Sequence, residues 1–147
     1  MTLPGQSSKN PPAYPVDEAR GGFMQMLDVH VLAAENGRSR VELLVAEKHL
    51  NQLEMMHGGM TATLLDTALG LAAYSIRPTN HYSVTVQLDV KYTRPALAGQ
   101  KLAAIGQVQH AGKRTAVASA EIRAEDGSLI ATGSATLMYL PITAKGE

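Results

Sequence analysis

No cysteine occurs anywhere in the 147 residues. Its absence removes disulfides, thiolate metal ligands and a cysteine nucleophile, and it fits a reducing compartment. Net charge is lacking too: thirteen basic residues stand against thirteen acidic ones. No overall field therefore favours nucleic acid or an anionic membrane surface as a partner. The opening residues, Met1-Thr-Leu-Pro-Gly-Gln-Ser-Ser-Lys-Asn-Pro-Pro, have no apolar core of the kind a signal peptide needs, so the expected location is the cytoplasm. The longest apolar segment is too short and too interrupted by Thr, Gly and Asp to span a bilayer. What remains is one domain, large enough for a real hydrophobic core.

That apolar segment organises the rest. From Met60 to Ser75 the only ionisable side chains are the carboxylate of Asp66 and the phenol of Tyr74. Ala and Leu dominate and no proline intervenes before Pro78, so the pattern predicts a helix. Apolar residues lie on all its sides, as in a helix wrapped by other structure. The glycine pair Gly58-Gly59 opens it, after a polar loop that runs from Asn51 to His57. A lone carboxylate in such a helix is costly to bury unless it has a partner or a task.

Around it the chain reads as sheet. Residues 1–20, with Pro4, Pro11, Pro12 and Pro15, read as a flexible tail, although Asp17 to Leu27 has the acidic first turn of a short helix. The domain is expected over 21–141, with a second tail at 142–147. Met26 to Ala34 and Arg38 to Ala46 are β-prone runs joined through Asn36-Gly37, a hairpin signal. Ser83 to Thr93 alternates, with Val84, Val86, Leu88, Val90 and Tyr92 on one predicted face and Ser83, Thr85, Gln87, Asp89, Lys91 and Thr93 on the other. Lys101–His110, Arg114–Ala124 and Leu129–Tyr139 complete about six antiparallel strands, turned at Gly112 and at Asp126-Gly127. The fold class is α+β, an antiparallel sheet around one long central helix.

His57-Gly58-Gly59, Asp66 seven residues beyond, Asn51 six before the histidine, and the run Asp89-Val-Lys-Tyr-Thr-Arg-Pro95 form a pattern. In these positions the chain resembles the hotdog-fold acyl-CoA thioesterases, specifically the phenylacetate-pathway (PaaI-like) branch of the 4-hydroxybenzoyl-CoA thioesterase superfamily. The resemblance covers roughly residues 21 to 140 in element order. It implies hydrolysis of an aryl- or medium-chain acyl-CoA thioester, with coenzyme A as part of substrate and product and no other cofactor. It assigns Asp66 as general base or nucleophile, a backbone amide at Gly58 or Gly59 to the carbonyl oxygen, and Asn51 to orienting water or substrate. A Ser or Thr early in the following strand often assists in the family, and Ser83 is the nearest match. Met60 is a candidate for the acyl pocket, and Arg94 and Arg114 for the coenzyme A phosphates.

Elementary chemistry agrees. A thiolate leaves without protonation, so one base and one oxyanion site suffice. Free N–H groups at a helix N-terminus make such a site without a side chain, and glycine lets the substrate approach the backbone. Gly59 and Asp66, however, are about 10 Å apart along the axis at ~1.5 Å per residue, whereas base and carbonyl must come within about 3 Å. An Asp66 from a second, antiparallel copy meets that demand. The expected partner is therefore a second copy of the chain, in a homodimer or homotetramer with shared sites.

Plainer readings stand beside these. His57 belongs to the constellation, yet a ring bonded to backbone near the turn explains it more simply than proton transfer. The methionines also serve as core filler. The other histidines are scattered and suggest no metal site. Two other functions compete: an acyl-thioester hydratase or dehydratase of the same fold, whose usual His-Phe-Pro-Gly stretch is missing here, and a non-catalytic acyl-CoA-binding protein. The aromatic content (five Tyr, one Phe, no Trp) does not separate aryl from alkyl substrates.

Overall fold

Asn36 and Gly37 both take positive φ, 51° and 77°, the geometry that two-residue hairpins with right-handed strand twist require. They turn β1 (His30–Glu35) back along β2 (Arg38–Leu44), pairing Glu35 with Arg38. The computed structural model describes residues 21–143. The tail expected at 1–20, and with it the acidic first turn at Asp17 and Glu18, lies outside that range, as do residues 144–147. Within the described residues a short helix α1 (Gly22–Met26) precedes β1. A 3-10 turn at Glu47–His49 and the loop of residues 50–57 follow β2 and lead into α2 (Gly58–Tyr74). Then come β3 (His81–Tyr92), β4 (Lys101–Ala111), β5 (Thr115–Ala124) and β6 (Leu129–Pro141). Order continues just past Pro141, where the Ile142 N–H donates to the Asn80 carbonyl. No helix among these residues is long and apolar enough to cross a membrane.

All six strands form one antiparallel sheet in the order β1-β2-β4-β5-β6-β3. Alternation puts Val41 and Leu43, Leu102 and Ala104, Ala116, Ala118 and Ile122, and Leu137 and Tyr139 on the inner face, all buried against α2. From the helix, Leu64, Leu65 and Leu69 are 1%, 0% and 0% exposed. Side chains removed so fully from water contribute about 1.5–3 kcal/mol each. Two glycines let the helix settle into the sheet. A Cβ at Gly106 of β4 would fall 2.4 Å from the Ala68 carbonyl oxygen, and one at Gly133 of β6 would fall 3.1 Å from Leu65. The Ser39 hydroxyl donates to that same Ala68 carbonyl at 2.6 Å. At the far end the Tyr139 hydroxyl donates to Ala73 O at 2.9 Å, and Ser75 Oγ accepts the Gly37 N–H at 2.8 Å. The hairpin and the helix end are thereby locked together.

Two features depart from the sequence pattern. The sheet does not enclose α2 completely: nine of its 17 residues are buried, while Gly59, Ala62, Thr63, Asp66, Thr67 and Gly70, spaced as one helical stripe, stay exposed or half-buried. The alternation in β3 also breaks. Thr85 pairs with Leu137 and Gln87 with Thr136, leaving Val86 as the extra residue of a bulge. Ser83 and Thr85 therefore share the inner face with Leu88, Val90 and Tyr92, while Val84 and Val86 are turned off it. β3 is also an edge strand of the sheet.

Candidate active site

The first turn of any helix offers four N–H groups with no partner inside the helix. In α2 three of the four are taken. His57 is the N-cap, and its Nδ1 accepts the Gly59 N–H at 2.8 Å, as expected of a ring bonded to backbone at the turn. Its carbonyl accepts from Met60 N at 2.9 Å and from Thr61 N at 3.3 Å. Only the Gly58 N–H has no acceptor among the described residues. It belongs to the His57–Gly58 peptide, whose doubly bonded carbonyl polarises it further. The first turn carries no acidic side chain, so the positive end of the helix dipole stays uncompensated there. Of the two expected amides, Gly58 is the one able to hold an anionic oxygen. Both glycines have side chains close by: a Cβ at Gly58 would stand 3.3–3.4 Å from the Tyr92 ring and hydroxyl, and one at Gly59 would lie 3.0 Å from His57 Nδ1.

Asn51 begins the loop that delivers the chain to His57. Its Oδ1 accepts the Leu53 and Met55 N–H groups at 2.9 and 3.2 Å, and its own N–H donates to Met55 O at 2.7 Å. These bonds identify the oxygen end of the amide and leave Nδ2 without an acceptor among the described residues. Asn51 and His57 line one shallow cleft with Leu50, Gln52 and Leu53. A second cleft, of ≈300 Å³, is lined by Gly58 itself with Met55, Thr61, Tyr92, Arg94 and Pro95 among others. Tyr92, the last residue of β3, donates its phenolic proton to Gly58 O at 2.8 Å.

Asp66 lies on the half-open stripe of α2. The sequence expectation of a buried acid is thus corrected for the single chain: the carboxylate is half-buried, with only the edge strand β3 reaching that face. Its partner is Thr85, whose Oγ1 donates to Asp66 Oδ1 at 2.7 Å. Ser83, the expected helper from β3, sits one turn further along α2 and reaches only Gly70 O, at 3.4 Å. Strict alternation already puts Ser83 and Thr85 on one side of β3, and it is Thr85, not the expected Ser83, whose position along the helix matches Asp66. Thr85 holds one oxygen of Asp66, and the other has no hydrogen-bond donor among the described residues.

The remaining candidates separate. Met60 points into the core, 6% exposed and packed in the main apolar cluster, because the third helical position faces the sheet. Arg94 reaches the cleft beside Gly58. Arg114 follows the β4–β5 turn, where its carbonyl accepts the Tyr139 N–H at 2.7 Å. That places it near the C-terminal end of α2, about 25 Å of helix away from Arg94 at ~1.5 Å per residue. One chain therefore does not bring Arg94 and Arg114 to a common phosphate. Neither Thr85 nor Tyr92 was singled out from the sequence as a site residue. The Tyr92 contact depends on the bulge, which moves it onto the inner face with Thr85.

The sequence model of the thioesterase superfamily matches residues 53–131. Acyl-coenzyme A thioesterase 13 of Mus musculus is 32% identical over 117 residues, which is 78% of this chain and 83% of that protein. The solved structure of the E. coli PaaI protein from the phenylacetic acid degradation operon superposes with a TM-score of 0.76 at 27% identity, covering 82% of this chain and 85% of that one. A Streptococcus mutans UA159 protein solved bound to acetyl CoA superposes with a TM-score of 0.76 at 25% identity, covering 87% and 98%.

Proposed function

Because the chain belongs to the thioesterase superfamily, we propose that it hydrolyses acyl-CoA thioesters at a site shared by two copies, with Asp66 of one facing Gly58 of the other. The fold is the hotdog fold, and the protein is a thioester hydrolase. Acyl-CoA as the substrate is supported by the names of its relatives and by the acetyl CoA bound to a structural neighbour. Aryl and medium-chain acyl groups are the proposed range.

The single observation that carries the shared site is a mismatch within one chain. The free Gly58 donor and the Thr85-held carboxylate are both present, yet eight residues of helix separate them, about 12 Å at ~1.5 Å per residue. The stripe bearing Asp66 is also a face of α2 that its own sheet covers only in part, from the edge strand β3. A second copy packed there covers the stripe and brings the two groups together. Such dimers pair again to tetramers in the proposed assembly.

At the shared site the thioester oxygen accepts the Gly58 N–H. As charge gathers on it in the tetrahedral transition state, that bond strengthens, helped by the open end of the dipole. The unbonded oxygen of Asp66 supplies the basic group, attacking directly or taking a proton from water. The C–S bond then breaks, coenzyme A leaves as thiolate, and the oxygen gained from water completes the carboxylic acid. Asn51 Nδ2 is placed to orient the water or the substrate, and Arg94 to meet a phosphate of coenzyme A.

Asp66→Asn tests this. The amide still accepts the Thr85 hydroxyl but is no base, so turnover falls at least about a hundredfold while acyl-CoA binding and melting temperature hold. Normal turnover per folded molecule, in a destabilised variant, contradicts the role.

A further inference from the structure

We propose that Tyr92 is a positioning residue for the Gly58 donor: its phenol fixes the peptide on the far side of Gly58 and so sets the direction of the Gly58 N–H. The inference rests on the reading above, in which that N–H holds the thioester oxygen.

A glycine has no side chain to limit its backbone, so the aim of its N–H depends on what grips the two flanking peptide groups. The preceding peptide is held through the His57 carbonyl, by Met60 N and Thr61 N. The following one is held at both ends, its N–H by His57 Nδ1 at 2.8 Å and its carbonyl by Tyr92 Oη at 2.8 Å. Every grip but one comes from the helix itself or its cap. Tyr92 alone reaches in from the sheet, and it ties the mouth of the helix to a fixed frame.

Its ring also lies over the Gly58 Cα, with Oη, Cε1 and Cζ at 3.3–3.4 Å from where a Cβ would stand. The bond to the Gly58 carbonyl polarises that peptide and strengthens the Gly59 donation to His57. With Nδ1 accepting, a neutral His57 ring carries its proton on Nε2. One strand thus serves both groups: β3 holds Asp66 through Thr85 and Gly58 through Tyr92, each of which enters a different one of the two shared sites. The bulge at Val86 puts Tyr92 on the helix-facing side together with Thr85.

A donor that stabilises the oxyanion acts in the transition state more than in substrate binding. Loosening its aim therefore lowers kcat and spares KM. Tyr92→Phe removes only the oxygen and leaves the ring over Gly58. The expected result is a fall in kcat of about tenfold, with KM within about twofold of wild type. The Gly59 amide should at the same time exchange faster with solvent, while amides in the middle of α2 keep their wild-type rates. Wild-type kcat overturns the proposal, as does a loss confined to KM, which would make the phenol a substrate contact. Unchanged Gly59 exchange overturns it as well. If the wild-type protein itself fails to hydrolyse any acyl-CoA, the functional reading falls, and the exchange rates alone still decide whether Tyr92 positions this peptide.

Discussion

Gly106→Ala is the perturbation whose cost the structure defines best. The added Cβ would lie 2.4 Å from the Ala68 oxygen, 2.8 Å from the Ala68 carbonyl carbon and 2.7 Å from Ser39 Oγ, whereas ordinary contact begins at 3.4 Å. Strand and helix must separate by about 1 Å, in an interior packed too densely to yield that freely. Leu64, Leu65 and Leu69 on the same helix are fully buried, so α2 cannot simply step back. Overpacking of this kind costs about 1–3 kcal/mol. Losing the buried Ser39 bond to Ala68 adds about 1–2 kcal/mol more. For a chain of this length each kcal/mol moves Tm by roughly 2–4 °C, so the melt should fall by about 4–20 °C. Thermal and urea unfolding of Gly106→Ala, Ser39→Ala and the double variant form a cycle. Ser39→Ala alone should cost about 1 kcal/mol. Combined with Gly106→Ala it should recover only part of the loss, because the clash with the Ala68 backbone remains. A Gly106→Ala protein within about 0.5 kcal/mol of wild type would refute the tight seat of α2 on β4, and with it this basis for the placement of Asp66 two residues earlier.

Thr85→Val keeps the shape but removes the donor to Asp66, so kcat should fall about tenfold; wild-type kinetics would remove Thr85 from the site. Asn51→Ala should lose roughly ten- to a hundredfold in turnover, less than Asp66→Asn, since it orients rather than reacts. Asn51→Asp keeps the acceptor for Leu53 and Met55 while exchanging the NH₂ group for a charged oxygen, so damage in Asn51→Ala alone assigns the effect to the loop. In acid, four carboxyls among the described residues titrate below their ordinary values. Asp28 is lowered by its hydrogen bond from Lys48, Glu42 by that from Arg40, Glu121 by that from Arg123 and Asp126 by that from Ser128. Their folded pKa values are depressed, so their stabilising effect is present above the ordinary 3.8 for Asp and 4.5 for Glu and is lost as pH falls below them. Urea midpoints should drop on that descent, and a flat profile there would contradict the assignment.

Much of this was legible because it is local. Asn36-Gly37 and Asp126-Gly127 carry their turn chemistry in two residues, and alternation in Leu102 to Ala104 or Ala116 to Ala124 marks the inner face directly. The helix was legible from Met60 to Ser75 because Ala and Leu dominate it and no proline interrupts. The bulge at Val86 was not: its residues alternate faithfully, and only the pairing of β3 with β6 shows that one of them is extra. The choice of Gly58 over Gly59 also depended on a fold-back, the His57 ring returning to take one of two equivalent N–H groups. The half-open state of Asp66 could not be read from the composition of its helix, since apolar residues on every side describe a helix covered by something without saying by which chain.

Whether that something is a second copy is best decided by mixing two inactive variants. Asp66→Asn removes the base. Gly58→Pro removes the donor with little cost to the helix, because proline suits the first helical position and His57, at φ −57° and ψ 136°, already has the extended geometry required before it. Tyr92 has to give by only a few tenths of an ångström. Each variant alone should be nearly inactive. After subunit exchange about half of the dimers are mixed, and each mixed dimer holds one intact site made from Gly58 of one chain and Asp66 of the other, so about a quarter of wild-type activity should return. A mixture that stays no more active than its parents, with subunit exchange verified, places the whole site within one chain and contradicts the shared site.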